Sequence, residues 1–331
     1  MELIRGLHNI AARHRGCVLT IGNFDGVHLG HQAVLANVRA QAQALQVPAA
    51  VMIFEPQPLE LFAPHTAPAR LSRWQDKYHM LAACGIDRLL LTQFNQRFAN
   101  LSAEQFIEEV LVKQLGVKLL VVGDDFRFGK GRTGDFTLLQ EAGKRFNFTV
   151  VDTTSYRTED IRVSSSAIRS ALVTADFAAA EHMLGRPFEF TGRVRHGAKR
   201  GRSIGFPTAN IALQRQRSPL TGVFAVNVKI AGDPASQSYG GVANIGRKPT
   251  VNGERELLEV HLFAYSASAG PDDLYGKQLT VTPLLWLRDE HKFASFEALQ
   301  KQIIEDAEAA RVFLAHECEE FKQNREVNRT A

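Results

Sequence analysis

The 331 residues include only three cysteines, two tryptophans and four methionines, and they contain no long unbroken apolar run. Each scarcity excludes something. Cys17, Cys84 and Cys318 are odd in number and far apart, which gives neither a disulfide framework nor a zinc spacing, so they are read as reduced thiols. Apolar stretches such as 88–91 and 118–122 fall far short of the ~18–20 residues that cross a bilayer, so no transmembrane helix is expected. The first ten residues mix Glu2, Arg5, His8 and Asn9 with apolar ones, unlike a secretory signal, and a cytoplasmic location is expected. Charge of one sign is scarce too. The 39 Lys and Arg against 35 Asp and Glu leave a surplus of +4, too small to argue for a nucleic-acid partner. What is present is 45% hydrophobic and 22% charged residues, enough for a large core in roughly two domains and inconsistent with disorder.

The first half alternates short apolar runs (17–21, 49–54, 88–93, 118–122, 148–151) with amphipathic stretches (from about 30, then 74–84, 102–115 and 137–145). That alternation is the mark of β-α-β units around a parallel sheet. Ser102 and Gln105 have capping-box spacing. An Ala-rich helix over 177–184 ends at Gly185-Arg186-Pro187, where the pattern changes, so two domains are expected, 1–186 and 187–331. From 188 to about 287 the runs are short and alternating (223–230, 257–263, 279–287), which predicts a small antiparallel barrel or sandwich. A long helix over 295–321, N-capped by Ser295, closes the chain.

The most informative stretch is Thr20-Ile21-Gly22-Asn23-Phe24-Asp25-Gly26-Val27-His28-Leu29-Gly30-His31, running from a strand into a helix. In a parallel α/β sheet ligands bind at the carboxyl ends of the strands, where a helix N-terminus offers free N–H groups to phosphate. Gly22, Gly26 and Gly30 let the backbone come close, and His28 and His31, one turn apart, can donate to phosphoryl oxygens. A bare His-x-x-His pair is more often packing than chemistry, and it is these surroundings that favour a site. Zinc is disfavoured because no third ligand stands nearby. Gly123 to Lys130 is not a Walker loop, since five residues separate its glycines and Gly131 replaces the Ser or Thr that would hold Mg²⁺.

In the second half, residues 192–202 interleave basic side chains with glycines, a run that by itself suits RNA or a solvated loop. Gly205-Phe206-Pro207-Thr208-Ala209-Asn210 follows. The Thr208 hydroxyl and the Asn210 amide oxygen, two apart on an extended segment, point the same way and can bind one hard cation, with waters and ATP phosphates completing its shell.

The first motif resembles the H-x-G-H signature of nucleotidyltransferases in the form found in bacterial FAD synthetases, and the second is similar to the P-T-A-N motif of riboflavin kinases. The resemblance continues in 241–250, 258–262, 273–276 and 287–293, in family order, so the chain is identified as a member of the bacterial bifunctional riboflavin kinase/FMN adenylyltransferase family. It implies an N-terminal Rossmann-like α/β domain with a parallel sheet and a C-terminal small antiparallel β-barrel closed by a long helix. It implies that His28, His31 and Arg169 stabilise charge during adenylyl transfer, while Gly22, Asn23, Phe24, Asp25, Gly30, Asp125, Arg127, Ser164, Ser165 and Ser166 hold ATP. Glu259 would be the kinase base, Gly197, Lys199, Gly201, Phe206, Pro207 and Arg288 would hold ATP and flavin, and Thr208 and Asn210 would hold Mg²⁺ or another divalent cation. The implied substrates are riboflavin, FMN and ATP, the products FMN, FAD, ADP and pyrophosphate, with neither nucleic acid nor membrane as a partner. Gln57, in place of the His of a Pro-His-Pro form, Asp125 and Arg247 depart from the family pattern. An active kinase with a silent first domain and a flavin-binding regulator are the competing readings.

Overall fold

The computed structural model describes residues 1–330 except 154–156, 159–160, 198–204, 216, 234–236, 251–252 and 264–273, with backbone alone at 157–158, 161–162, 248–250, 253–255 and 317–330. It divides into two compact units, Met1–Ala167 and Ile168–Ala331.

In the first unit, β1 (Glu2–Arg5), β2 (Val18–Ile21) and α1 (Leu29–Leu45) are followed by β3 (Ala49–Glu55), α2 (Pro58–Phe62), α3 (Trp74–Ala83) and β4 (Arg88–Gln93). Then come α4 (Gln96–Ala99), α5 (Ala103–Gln105) continued in wider π geometry over Phe106–Gln114, β5 (Leu119–Val122), α6 (Phe136–Phe146), β6 (Thr149–Asp152) and the small pair β7 (Arg157–Thr158) and β8 (Ile161–Arg162). Six strands form one parallel sheet in the order β1-β4-β3-β2-β5-β6. All four residues of β2 are buried, as are those of β5, because helices cover both faces of the sheet. The predicted capping box is formed: Ser102 Oγ accepts from the Gln105 N–H and Gln105 Oε1 from the Ser102 N–H. The sequence reading misses β1, which is four residues long and half polar, so the motif-bearing strand is the second in the chain and not the first.

The second unit carries most of α7 (Ser165–Val173), then α8 (Phe177–Leu184), β9 (Phe190–Arg195), β10 (Ala209–Ala212), β11 (Gly222–Ile230), β12 (Ser238–Thr250), β13 (Gly253–Leu262), β14 (Gln278–Arg288) and α9 (Phe296–Thr330). The six strands from β9 on close a barrel in the order β10-β13-β12-β11-β14-β9, which settles barrel over sandwich. Ala209, Val260, Ala243 and Phe224 pair in register and are all buried, marking the filled interior. The alternate residues face outward, where α9 covers part of the barrel: Ala310 joins Val223, Ala225 and Val242 in one apolar cluster. Ser295 caps α9, its Oγ accepting from the Ala298 N–H at 3.2 Å.

Candidate active sites

The first site begins where β2 ends. Residues 22–28 turn the chain into α1, and Phe24 (φ 45°), Gly26 (φ 84°) and Val27 (φ 41°) adopt left-handed backbone there, a strained arrangement for the two that are not glycine. Side chains from elsewhere hold this turn. The buried Asp25 carboxylate accepts from the backbone N–H groups of Leu71 and Ser72 at 3.0 Å each and from the Ser72 hydroxyl at 3.2 Å. Ser72 Oγ accepts in turn from the Gly26 N–H, and Ser165 Oγ donates to the Asp25 carbonyl at 2.9 Å. Lys77 Nζ donates to the Asn23 carbonyl at 2.8 Å and stands 4.0 Å from Asp25 Oδ1.

His28 is the N-cap of α1, its Nδ1 accepting from the His31 N–H at 3.2 Å, which leaves the ring proton on Nε2 as a donor. The two imidazoles stack at 3.6 Å and 17°. Gly30 makes room for this stack, since a Cβ there would lie 3.2 Å from the His28 ring and 3.4 Å from the Val163 carbonyl. Burial, then the neighbouring His28 and Lys77, hold His31 well below the usual histidine range, so it is neutral at physiological pH. His31 Nδ1 is buried with no hydrogen-bond partner. At the positive end of α1, the His28 Nε2–H and the first N–H groups of the helix offer donors, a suitable place for phosphoryl oxygens.

The other expected residues divide. Gly22 and Asn23 border the turn, with Asn23 exposed, whereas Phe24 and Asp25 turn inward and serve the turn itself. Asp125 and Arg127 are exposed on the loop after β5, the neighbour of β2, and Arg127 donates to the Phe126 carbonyl at 3.1 Å. Ser164 Oγ accepts from the Ala167 N–H as a helix cap, Ser166 is exposed, and Arg169 is half-buried on α7.

In the second unit the residues expected to serve the kinase, Asn210 and Glu259, fall on the outward face of the barrel. Asn210 on β10 pairs with Glu259 on β13, and Glu259 with Asn244 on β12, so three polar side chains stand abreast on adjacent strands. The same row continues through Val223 to Arg288. The Asn210 amide nitrogen donates to the Thr208 carbonyl at 3.3 Å, which turns its oxygen the other way. Gly197 lies against the Asn210 side chain, so closely that any Cβ would collide. His261, two residues beyond Glu259 on the same face, donates from Nδ1 to the Pro207 carbonyl at 2.9 Å and meets the Phe206 ring at 5.1 Å. Burial pushes His261 below its ordinary value, although that hydrogen bond opposes the shift. Arg288 is committed to α9: its guanidinium grips both carboxylate oxygens of Asp306 at 2.7–3.0 Å. Lys199 and Gly201 lie outside the described residues.

The FAD synthetase family matches residues 10–167 and the riboflavin kinase family residues 184–314. A bifunctional riboflavin kinase/FMN adenylyltransferase of Escherichia coli strain K12 is 50% identical over 95% of this chain and 98% of its own, and one from Pseudomonas fluorescens 52% identical over the same shares. The chain belongs to the bifunctional riboflavin kinase/FMN adenylyltransferase family. A crystal structure described as a macrolide-efflux protein from Streptococcus pneumoniae matches 94% of this chain and 99% of its own, at TM-score 0.71 and 29% identity. No helix among the described residues is long and apolar enough to cross a membrane.

Within this bifunctional family architecture, several residues escape sequence reasoning. Lys77 shares a buried stripe with Leu81, and a lysine at an apolar position of an amphipathic helix is the signal that could have found it. Arg70 bridges Glu55 and Glu60 behind the cis Glu55-Pro56 bond. Asn244 donates to Glu290 at 3.2 Å and leaves a buried Oδ1 without a partner, a pairing over 46 residues that no local pattern shows. Phe54, Phe62, Phe94 and Phe98 form a chain of edge-on and tilted rings at the carboxyl ends of β3 and β4, with Phe62 59% exposed.

Proposed function

We infer that this chain makes FAD from riboflavin in two steps at two separate sites. One ATP phosphorylates riboflavin, giving FMN and ADP, and a second adenylylates FMN, giving FAD and pyrophosphate. The observation that carries this reading is that each family match covers one phosphate-suited site, the stacked His28–His31 pair in one and the Asn210–Glu259–Asn244 row in the other. We place the functional boundary between Arg186 and Pro187.

For the kinase, Glu259 accepts the proton of the ribityl 5′-hydroxyl as its oxygen attacks the γ-phosphorus. Thr208 and Asn210 supply oxygen donors only, which suits a hard divalent cation such as Mg²⁺, and His261 fixes the Pro207 carbonyl next to them. Bound there, the cation would neutralise charge on the ATP phosphates. Gly197 gives the segment before β10 its close approach to Asn210.

For the adenylyltransferase, an FMN phosphate oxygen attacks the α-phosphorus of ATP and pyrophosphate leaves. Little covalent chemistry falls to the protein. His28 Nε2–H, the first N–H groups of α1, the Ser164–Ser166 hydroxyls and Arg169 stabilise the developing charge. The exposed Phe62 ring suits the flat apolar flavin. Consumption of ATP and the reduced state proposed for the thiols fit a cytoplasmic location; burial pushes the Cys17 thiol up to about 12, so it is inert.

The test is to incubate the purified chain with riboflavin, ATP and MgCl₂ and separate the flavins over time. FMN first and FAD second is the expected order. FMN alone would leave a kinase with a silent first site, and neither product would overturn the reading.

A further inference from the structure

Lys77 lies outside every motif, and its side chain is 1% exposed. A fully buried ammonium requires partners, and those of Lys77 belong to the strained turn between β2 and α1: the Asn23 carbonyl at 2.8 Å and the Asp25 carboxylate at 4.0 Å. Left-handed backbone at Phe24 and Val27 persists only where the surroundings over-determine it. Ser165 of α7 holds the Asp25 carbonyl, and two further clamps act from outside the turn. The 71–72 backbone grips Asp25, and α3 grips Asn23 through one ammonium. His28 follows directly after the turn, so any relaxation at residues 23–27 moves both its imidazole and the first N–H groups of α1.

We propose that Lys77 is a positioning residue for adenylyl transfer: its ammonium fixes the 23–25 backbone so that His28 and the start of α1 are aligned on the ATP phosphates. The inference rests on the adenylyltransferase reading of that site. The ammonium acts among charges of both signs, with Asp25 on the turn, Glu55 on β3, Glu60 on α2 and Arg70 within electrostatic reach. His31, facing His28 and Lys77, is kept from protonation partly by that positive charge.

The experiment uses the full chain carrying Lys77→Met, and the double variant Lys77→Met/Asp25→Asn, which leaves no unpaired buried charge and so guards against simple unfolding. Two properties are read: hydrogen exchange of peptides spanning 22–31, and FAD formation from supplied FMN and ATP, with FMN formation from riboflavin as the control for intact protein. In Lys77→Met the 22–31 amides should exchange at least about tenfold faster; the double variant also weakens the Asp25 grip on residues 71–72, so its faster exchange counts only alongside that of the single variant. The kcat for FAD should fall at least about tenfold while KM for FMN and ATP stays within about threefold, because a loosened turn misplaces the transition state more than it weakens binding. The acid limb of the kcat profile of Lys77→Met should also move to higher pH because the positive charge beside His31 is gone, whereas the split between kcat and KM is the readout that a purely structural lysine would not move. Native exchange at 22–31, or an unchanged kcat despite faster exchange, overturns the proposal. A wild-type chain that makes no FAD overturns the site reading instead, and the exchange result still decides whether Lys77 holds the turn.

Discussion

Gly30→Ala separates catalytic geometry from stability at one atom. The added methyl would sit 3.2 Å from Cε1 and Nδ1 of His28 and 3.4 Å from the Val163 carbonyl, so the imidazole must retreat by a few tenths of an ångström while still stacked on His31 at 3.6 Å. A misplacement of ~1 Å costs about 100-fold in rate, so this shift should lower kcat for FAD formation by about 3- to 10-fold. Stability should move the other way or hardly at all. Gly30 is in the first turn of α1, where Gly→Ala contributes about 0.4–1 kcal/mol through the unfolded chain, and the crowding offsets a similar amount. The assay follows FAD from FMN and ATP, with FMN formation from riboflavin and the thermal midpoint measured on the same sample. An unchanged FAD rate at native stability would refute the claim that the position of the His28 ring controls the reaction.

His28→Ala should abolish FAD formation while FMN formation stays near normal, and a parallel loss of both would sink the two-site scheme. Glu259→Gln should lower FMN formation by roughly 10²- to 10⁴-fold and leave FAD formation from supplied FMN intact, as read by product chromatography. His31 and His261 both have folded-state values below the ordinary 6.5, so below that pH the unfolded chain binds more protons than the folded one. Their contribution is therefore complete above 6.5 and is lost as pH falls from there towards each folded value, at up to about 1.4 kcal/mol per pH unit per group. Unfolding midpoints at pH 7.5 and 5.5 should differ accordingly, with His31→Gln and His261→Gln each flattening the difference; equal midpoints in the wild type would contradict it.

The elements that the sequence discloses are those governed by local periodicity. The central strands β2 and β5 are buried along their whole length because both faces of the sheet are covered there, so their apolar runs are visible without any knowledge of partners, whereas the half-polar edge strand β1 is not. The Ser102–Gln105 capping box is legible because its donors and acceptors lie three residues apart. Asp25 shows the limit. Its place inside the motif suggests a contact with ATP, but its carboxylate meets amides 46 and 47 residues away and stabilises the turn from within. Arg288, expected beside the flavin, holds Asp306 on the closing helix, 18 residues on. Lys77, Asn244 and His261 likewise gain their meaning from segments that only folding brings together.

The barrel carries the Asn210–Glu259–Asn244 row, proposed to work in the kinase, on the outside of a hydrogen-bonded ring that has no free edge. Interior residues such as Val260 and Ala243 answer to packing, while their neighbours Glu259 and Asn244 point outward, where polar side chains meet one another and what binds there. Selection can therefore act on the two faces of one strand separately. Substrate preference can drift residue by residue along the outer row while the inner layer preserves the fold, and a loss of activity in this half of the chain need not leave any trace in its thermal stability.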